Sequence, residues 1–129
     1  MSYLGGVTIV VDDYDKAINF YCDALGFTLT EDTPMPDGKR WVVISPTHNL
    51  GATLLLAKAT AESQSDAIGN QTGGRVAFFL YTNSFDDDYS RMVAKGVNFI
   101  AEPRVESYGK VVVFKDLYGN KWDFIGRKS

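Results

Sequence analysis

The sequence predicts an α+β chain of two tandem βαβββ modules, and three observations carry that reading. Apolar residues alternate with period two at Val7, Ile9 and Val11, and again at Val76, Phe78 and Leu80. Each run is followed by helical spacing that closes on a glycine, Gly26 in the first copy and Gly96 in the second. Between the copies lies a polar stretch, 60–73, rich in Ser, Gln, Asn, Thr and Gly, which reads as a linker. Module 1 is thus expected over about 4–59 and module 2 over about 74–127, within one domain of 129 residues.

In the first copy Asp12 and Asp13 stand as helix caps. Tyr14, Ala17, Ile18, Tyr21 and Leu25 then recur at helical spacing up to Gly26. The period changes after that glycine: Phe27 to Thr30 begins a strand, Pro34 to Gly38 reads as a turn, and Arg40 to Ile44 and Ala52 to Leu56 give two more strands. The second copy repeats the order. Phe85, Tyr89, Met92 and Val93 mark its helix, and Val97 to Ile100, Val111 to Phe114 and Lys121 to Ile125 mark its strands. Turns at Ser107 to Lys110 and Tyr118 to Asn120 join them. Leu54-Leu55-Leu56 corresponds to Trp122-Asp123-Phe124.

Composition narrows the function. The chain is 45% apolar and 22% charged, enough for a real core without disulfides. With 13 Lys and Arg against 16 Asp and Glu, and no block of like charge, nucleic acid is not an expected partner. No apolar run approaches the roughly 18 residues of a membrane helix, and Met1 to Gly6 lacks the regions of a secretory signal, so a cytoplasmic location and no membrane partner are expected. The single Cys22 excludes an intrachain disulfide and paired-cysteine zinc motifs, and it reads as a small buried side chain rather than a reactive thiol. Gly73-Gly74-Arg75 precedes a strand rather than a helix, against a phosphate loop. Asp86-Asp87-Asp88 opens a helix, where carboxylates complement the dipole, against a calcium site.

The segments Val11-Asp12-Asp13-Tyr14-Asp15-Lys16-Ala17, Phe20-Tyr21, Leu25-Gly26-Phe27, Lys95-Gly96-Val97, Glu102-Pro103 and Phe114-Lys115-Asp116-Leu117-Tyr118-Gly119-Asn120 run through both copies in order. On them the chain resembles the vicinal oxygen chelate superfamily, which includes glyoxalase I, extradiol dioxygenases and bleomycin-resistance proteins. The resemblance implies a curved mixed sheet around a cleft with the helices outside. It also implies metal ligands on the first and last strand of each module, at positions that here hold Gly6, Leu55, Arg75 and Asp123.

Of these four, only Asp123 offers a metal donor, and a guanidinium repels a cation. His48, the one histidine, falls in the turn before Ala52. No metal and no cofactor are therefore expected. Strand parity turns Thr8, Leu55, Arg75, Phe79, Asp123 and Ile125 toward the cleft. There Arg75 and Asp123 are expected as cross-strand neighbours, either as an ion pair or as a fork that receives a polar oxygen of a ligand. Trp41, Phe79 and Tyr108 are candidates for an aromatic wall, with core packing as the alternative for Trp41 and Phe79.

The expected function is metal-independent binding or sequestration of a small molecule, with Arg75, Asp123, Tyr108, Trp41, Phe79 and Thr8 as ligand contacts. The alternatives are a lactoylglutathione-lyase-like enzyme with unrecognised ligands, or a metal-free catalyst using Asp123 as a base beside Arg75. A homodimer is expected from the resemblance and from apolar sheet edges.

Overall fold

The computed structural model describes residues 1–46 and 51–127, so His48 lies outside the described residues. The chain divides into two compact units, Met1–Ile68 and Gly69–Ser129.

In the first unit, strand β1 (Gly6–Val11) leads into helix α1 (Tyr14–Asn19), followed by β2 (Thr28–Pro34), β3 (Arg40–Ser45), β4 (Thr53–Lys58) and helix α2 (Glu62–Ala67). The sheet order is β1-β4-β3-β2, with β1 parallel to β4 and the other pairs antiparallel. One face carries Ile9, Val11, Val42, Ile44, Leu54 and Leu56, all buried, and α1 packs over β3 and β4 through Ala17. Asp13 starts α1 because its carboxylate accepts from the Lys16 backbone N–H at 2.9 Å.

Helical spacing predicts one helix up to Leu25. The α-helix instead stops at Asn19 and widens into a π-helical turn, Phe20–Ala24, where the Leu25 N–H donates to the Phe20 carbonyl at 3.3 Å. The wider turn keeps Tyr21, Ala24 and Leu25 buried before Gly26 reverses the chain at φ 76°.

Arg40 ties the β2–β3 hairpin to the helix. Its guanidinium meets Asp15 at 2.9 Å and Asp32 at 2.6 Å, and lies 5.1 Å from the centre of the Tyr14 ring. The Arg40 hydrogen bonds hold the Asp32 carboxyl below its ordinary value. Burial pushes the Cys22 thiol up, which suits an inert side chain.

Part of the expected linker is helical. Gln64 reaches back so that its Oε1 accepts from the Thr60 N–H at 2.8 Å and from the Thr60 hydroxyl at 3.1 Å, which ties the first turn of α2 to the chain before its N-cap, Ala61, where no apolar periodicity announces a helix. The helix lies against β1.

The second unit contains β5 (Val76–Thr82), α3 (Phe85–Ala94), β6 (Asn98–Phe99), β7 (Arg104–Glu106), β8 (Gly109–Lys115) and β9 (Lys121–Arg127). Its sheet runs β5-β9-β8-β6, with β7 also on β8 and β5 parallel to β9. The strand expected over Val97 to Ile100 is only the two-residue β6, and β7 is an addition to the expected order. An aromatic chain forms the core: Phe85 stacks on Phe124 at 5.1 Å, and Trp122 stacks on Phe114 at 5.7 Å and lies 4.5 Å from Phe78. Gly126 allows α3 this close, since a Cβ there would stand 2.5 Å from the Phe85 Cβ.

The turn between β8 and β9 is organised by buried Asp116. Its Oδ1 accepts from the backbone N–H groups of Tyr118, Gly119 and Asn120, each at 3.0 Å. Its Oδ2 accepts from Asn120 Nδ2 at 3.0 Å and Trp122 Nε1 at 3.2 Å.

Candidate functional site

Period two puts Phe79 and Tyr81 of β5, and Asp123, Ile125 and Arg127 of β9, on the sheet face opposite the Trp122 and Phe124 core. The register sets Phe79 beside Asp123 and Tyr81 beside Ile125. Tyr108, in the turn between β7 and β8, completes the rim. These six residues line a pocket of about 500 Å³. Its three aromatic rings are well exposed, Phe79 at 58%, Tyr81 at 52% and Tyr108 at 50%. Exposed rings gathered around a concavity are what a ligand covers, whereas core aromatics are buried by their own chain.

Asp123 is half-buried in the middle of the sheet, flanked by Phe79 on one side and Val113 on the other. Among the described residues its carboxylate makes no hydrogen bond or ion pair. At the other end of the pocket the Arg127 guanidinium carbon lies 4.3 Å from the centre of the Tyr81 ring. Aromatic walls thus run between a carboxylate and a guanidinium.

The structure brings together Phe79, Tyr108 and Asp123 but does not pair Arg75 with Asp123. Strand β5 begins at Val76, which pairs with Lys121, and the register shifts between Val76 and Phe78. Arg75 thus lies before the paired stretch, and Phe79 is the residue beside Asp123. The arginine is exposed in the preceding turn, where its carbonyl accepts from the Thr72 hydroxyl at 2.6 Å. Tyr81 and Arg127 were not singled out in the sequence. The signal that finds them is the same alternation carried one step further along each strand, two residues beyond Phe79 and two beyond Ile125.

Thr8 and Trp41 belong to the first unit. Thr8 is exposed on β1 beside Leu55, and Trp41, 44% exposed, lines a smaller hollow of about 330 Å³ with Met35, Leu55 and Ala57. Trp41 is thus not part of the core. A third concavity of about 600 Å³ lies at the start of α3, between Phe85 and Glu106. It is the weaker candidate because Lys110 and Asp86 on its wall already satisfy each other at 2.7 Å.

The positions at which the resemblance implies metal ligands do not fit a divalent ion. Gly6 stands beside Thr53 and brings no side chain, Leu55 brings only carbon, and Arg75, exposed in the turn before β5, has no donor atom for a metal. No three His, Cys, Asp or Glu side chains gather among the described residues.

The segment 3–124 matches the family model described as Glyoxalase/Bleomycin resistance protein/Dioxygenase superfamily. A protein of Shewanella frigidimarina (strain NCIMB 400) is 51% identical over 120 residues, covering 92% of this chain and 89% of its own. Among solved structures the chain is similar to UcmS2, with a TM-score of 0.82 and 28% identity, covering 97% of this chain and 98% of that one. It is also similar to TnmS3, an antibiotic binding protein from Streptomyces sp. CB03234, with a TM-score of 0.79 and 25% identity over 99% of this chain and 98% of that one.

Proposed function

The chain belongs to the glyoxalase/bleomycin resistance protein/dioxygenase superfamily, and from that premise we propose that it binds a small organic molecule without a metal, holding it in the pocket of Phe79, Tyr81, Tyr108 and Asp123. The observation that carries this reading is three half-exposed aromatic rings lining one pocket with a carboxylate that has no partner among the described residues. The likeness to an antibiotic binding protein supports binding or sequestration as the activity. No helix among the described residues is long and apolar enough to cross a membrane. A cytoplasmic location remains part of the proposal.

One thermal-shift experiment tests both parts. Planar aromatic compounds are expected to raise the unfolding midpoint of the wild type and to lose that effect in the double variant Phe79→Ala/Tyr108→Ala, since only native-state binding raises a midpoint. Nickel, zinc, manganese and iron are expected to leave the midpoint unchanged. A metal that binds stoichiometrically and raises it would refute metal independence. Aromatic compounds that stabilise the double variant as well as the wild type would move the ligand out of this pocket.

We also propose that the protein works as a symmetric homodimer, because an open pocket on one sheet face gains enclosure from a second copy. Sedimentation is expected to give twice the 14.3 kDa chain mass at micromolar concentration, and a monomer there would count against this arrangement.

A further inference from the structure

Asp123 stands where it weakens the fold. Strand β9 has neighbours on both sides, and Asp is a poor strand former at such a position. The corresponding residue of the first unit is Leu55, which fills its place on β4 with carbon. No hydrogen bond or ion pair from the described residues offsets the carboxylate, and Phe79 and Val113 flank it. A residue that lowers strand stability and whose side chain has no partner among the described residues is suited to something outside the chain.

The chemistry of the pocket narrows what that is. An inorganic divalent ion needs several converging donors and finds one carboxylate. An anion is repelled at the Asp123 end. The Arg127 guanidinium already lies over the Tyr81 ring, which leaves Phe79 and Tyr108 as open rings beside the carboxylate. A carboxylate with open aromatic faces beside it suits a positive charge carried on an organic framework, which donates a charge-assisted hydrogen bond to the one and gains cation–π attraction from the others.

We propose that Asp123, Phe79 and Tyr108 seat a protonated aromatic amine, an organic cation at the position where the resemblance puts a metal ligand. This rests on the pocket reading given above and adds the charge of the ligand to it. Arg127, at the opposite end, faces the part of the ligand that carries acceptor oxygens.

The test titrates three planar probes, followed by their fluorescence anisotropy at one fixed ionic strength: cationic proflavine, neutral acridone and anionic anthracene-9-carboxylate. Wild-type protein is expected to bind proflavine about tenfold or more tightly than the other two, the scale of one shielded charge-assisted contact. Asp123→Asn is expected to erase that preference while keeping the residue's shape, and Tyr108→Ala to weaken all three probes. Asp123→Leu is expected to lose the preference and to raise the unfolding midpoint, because an apolar side chain suits this strand better.

Equal affinity for the three probes, or tighter binding of the anion, with Tyr108→Ala still weakening them, would overturn the cation assignment and leave the pocket standing. Retained proflavine preference in Asp123→Asn, or a lowered midpoint in Asp123→Leu, would make Asp123 a structural residue and overturn it as well. If no probe binds at millimolar concentration, the pocket reading fails together with the inference.

Discussion

Asp116→Ala is expected to lower the unfolding free energy by about 3–5 kcal/mol, the range for leaving buried polar partners without their charged acceptor. The residue is only 5% exposed, and its carboxylate accepts from three backbone N–H groups of the β8–β9 turn, the Asn120 amide and the Trp122 indole. Asn120 and Trp122 are themselves 3% and 2% exposed, so water does not easily replace the lost oxygen atoms. Trp122 stacks on Phe114 and precedes Asp123, which connects this turn to the floor of the pocket. Asp116→Asn keeps the shape but turns one acceptor into a donor facing donors, and should fall between wild type and Asp116→Ala. Chemical denaturation followed by circular dichroism measures both variants. A loss under about 1 kcal/mol for Asp116→Ala would mean that the turn holds itself together by other means.

Gly109→Ala should cost on the order of 3 kcal/mol, through steric overlap and backbone strain acting together. Gly109 opens β8 at φ 144°, a conformation that side chains rarely adopt, and a Cβ built there would overlap the Gly126 carbonyl oxygen. The backbone on both sides must move, because a carbonyl in a sheet ladder cannot rotate aside as a flexible side chain would. Gly109 pairs with Arg127 and follows Tyr108, so the displacement reaches two residues of the pocket rim. The variant should therefore lose ligand affinity as well as stability. Lowering the temperature until it is fully folded separates the two effects: affinity that then returns to the wild-type value would confine the change to stability. Gly73→Ala is the matched comparison. It also has a positive φ, of 67°, but nothing lies within 4 Å of its added Cβ, so it should show the strain without the clash.

The parts of this fold that were legible are those where one period dominates. Val7, Ile9 and Val11, and later Phe78 and Leu80, declare strands by alternation, and Gly26 and Gly96 declare the ends of the helical segments. The β5–β9 pairing follows from the repeat, but its register does not. With Val76 already beside Lys121, Asp123 lies beyond Arg75 in the ladder, and the irregularity between Val76 and Phe78 moves its partner by one residue more, from Phe78 to Phe79; a parity argument assigns faces but neither the register nor a bulge. Helix α2 was hidden because Glu62 to Ala67 has no apolar stripe; the back-bond from Gln64 to Thr60 that ties down its first turn is not a pattern of apolar residues. Strand β7 was hidden because three residues on a sheet margin are too few for a pattern. Of the pocket residues, Phe79, Tyr108 and Asp123 were read from chemistry and position. Tyr81 and Arg127 lay on the same alternation but beyond the point at which each strand was taken to carry candidates. The role of Asp116 as a shared acceptor was not legible, since its donors converge only once the turn has formed.

Strand β2 bears on how copies of this chain avoid sticking to one another. It lies at the margin of its sheet, and all seven of its residues are exposed. A long flat margin of this kind is a template for runaway edge-to-edge growth into aggregates. Here the sequence Thr-Leu-Thr-Glu-Asp-Thr-Pro offers one apolar residue, two carboxylates and a terminal proline without an N–H, and the bulge between Leu29 and Glu31 breaks its straightness. The margin is polar rather than apolar, contrary to what the sequence led us to expect of the sheet edges. Colloidal solubility is thus built into the strand, and any ordered assembly of this protein is steered to its other surfaces.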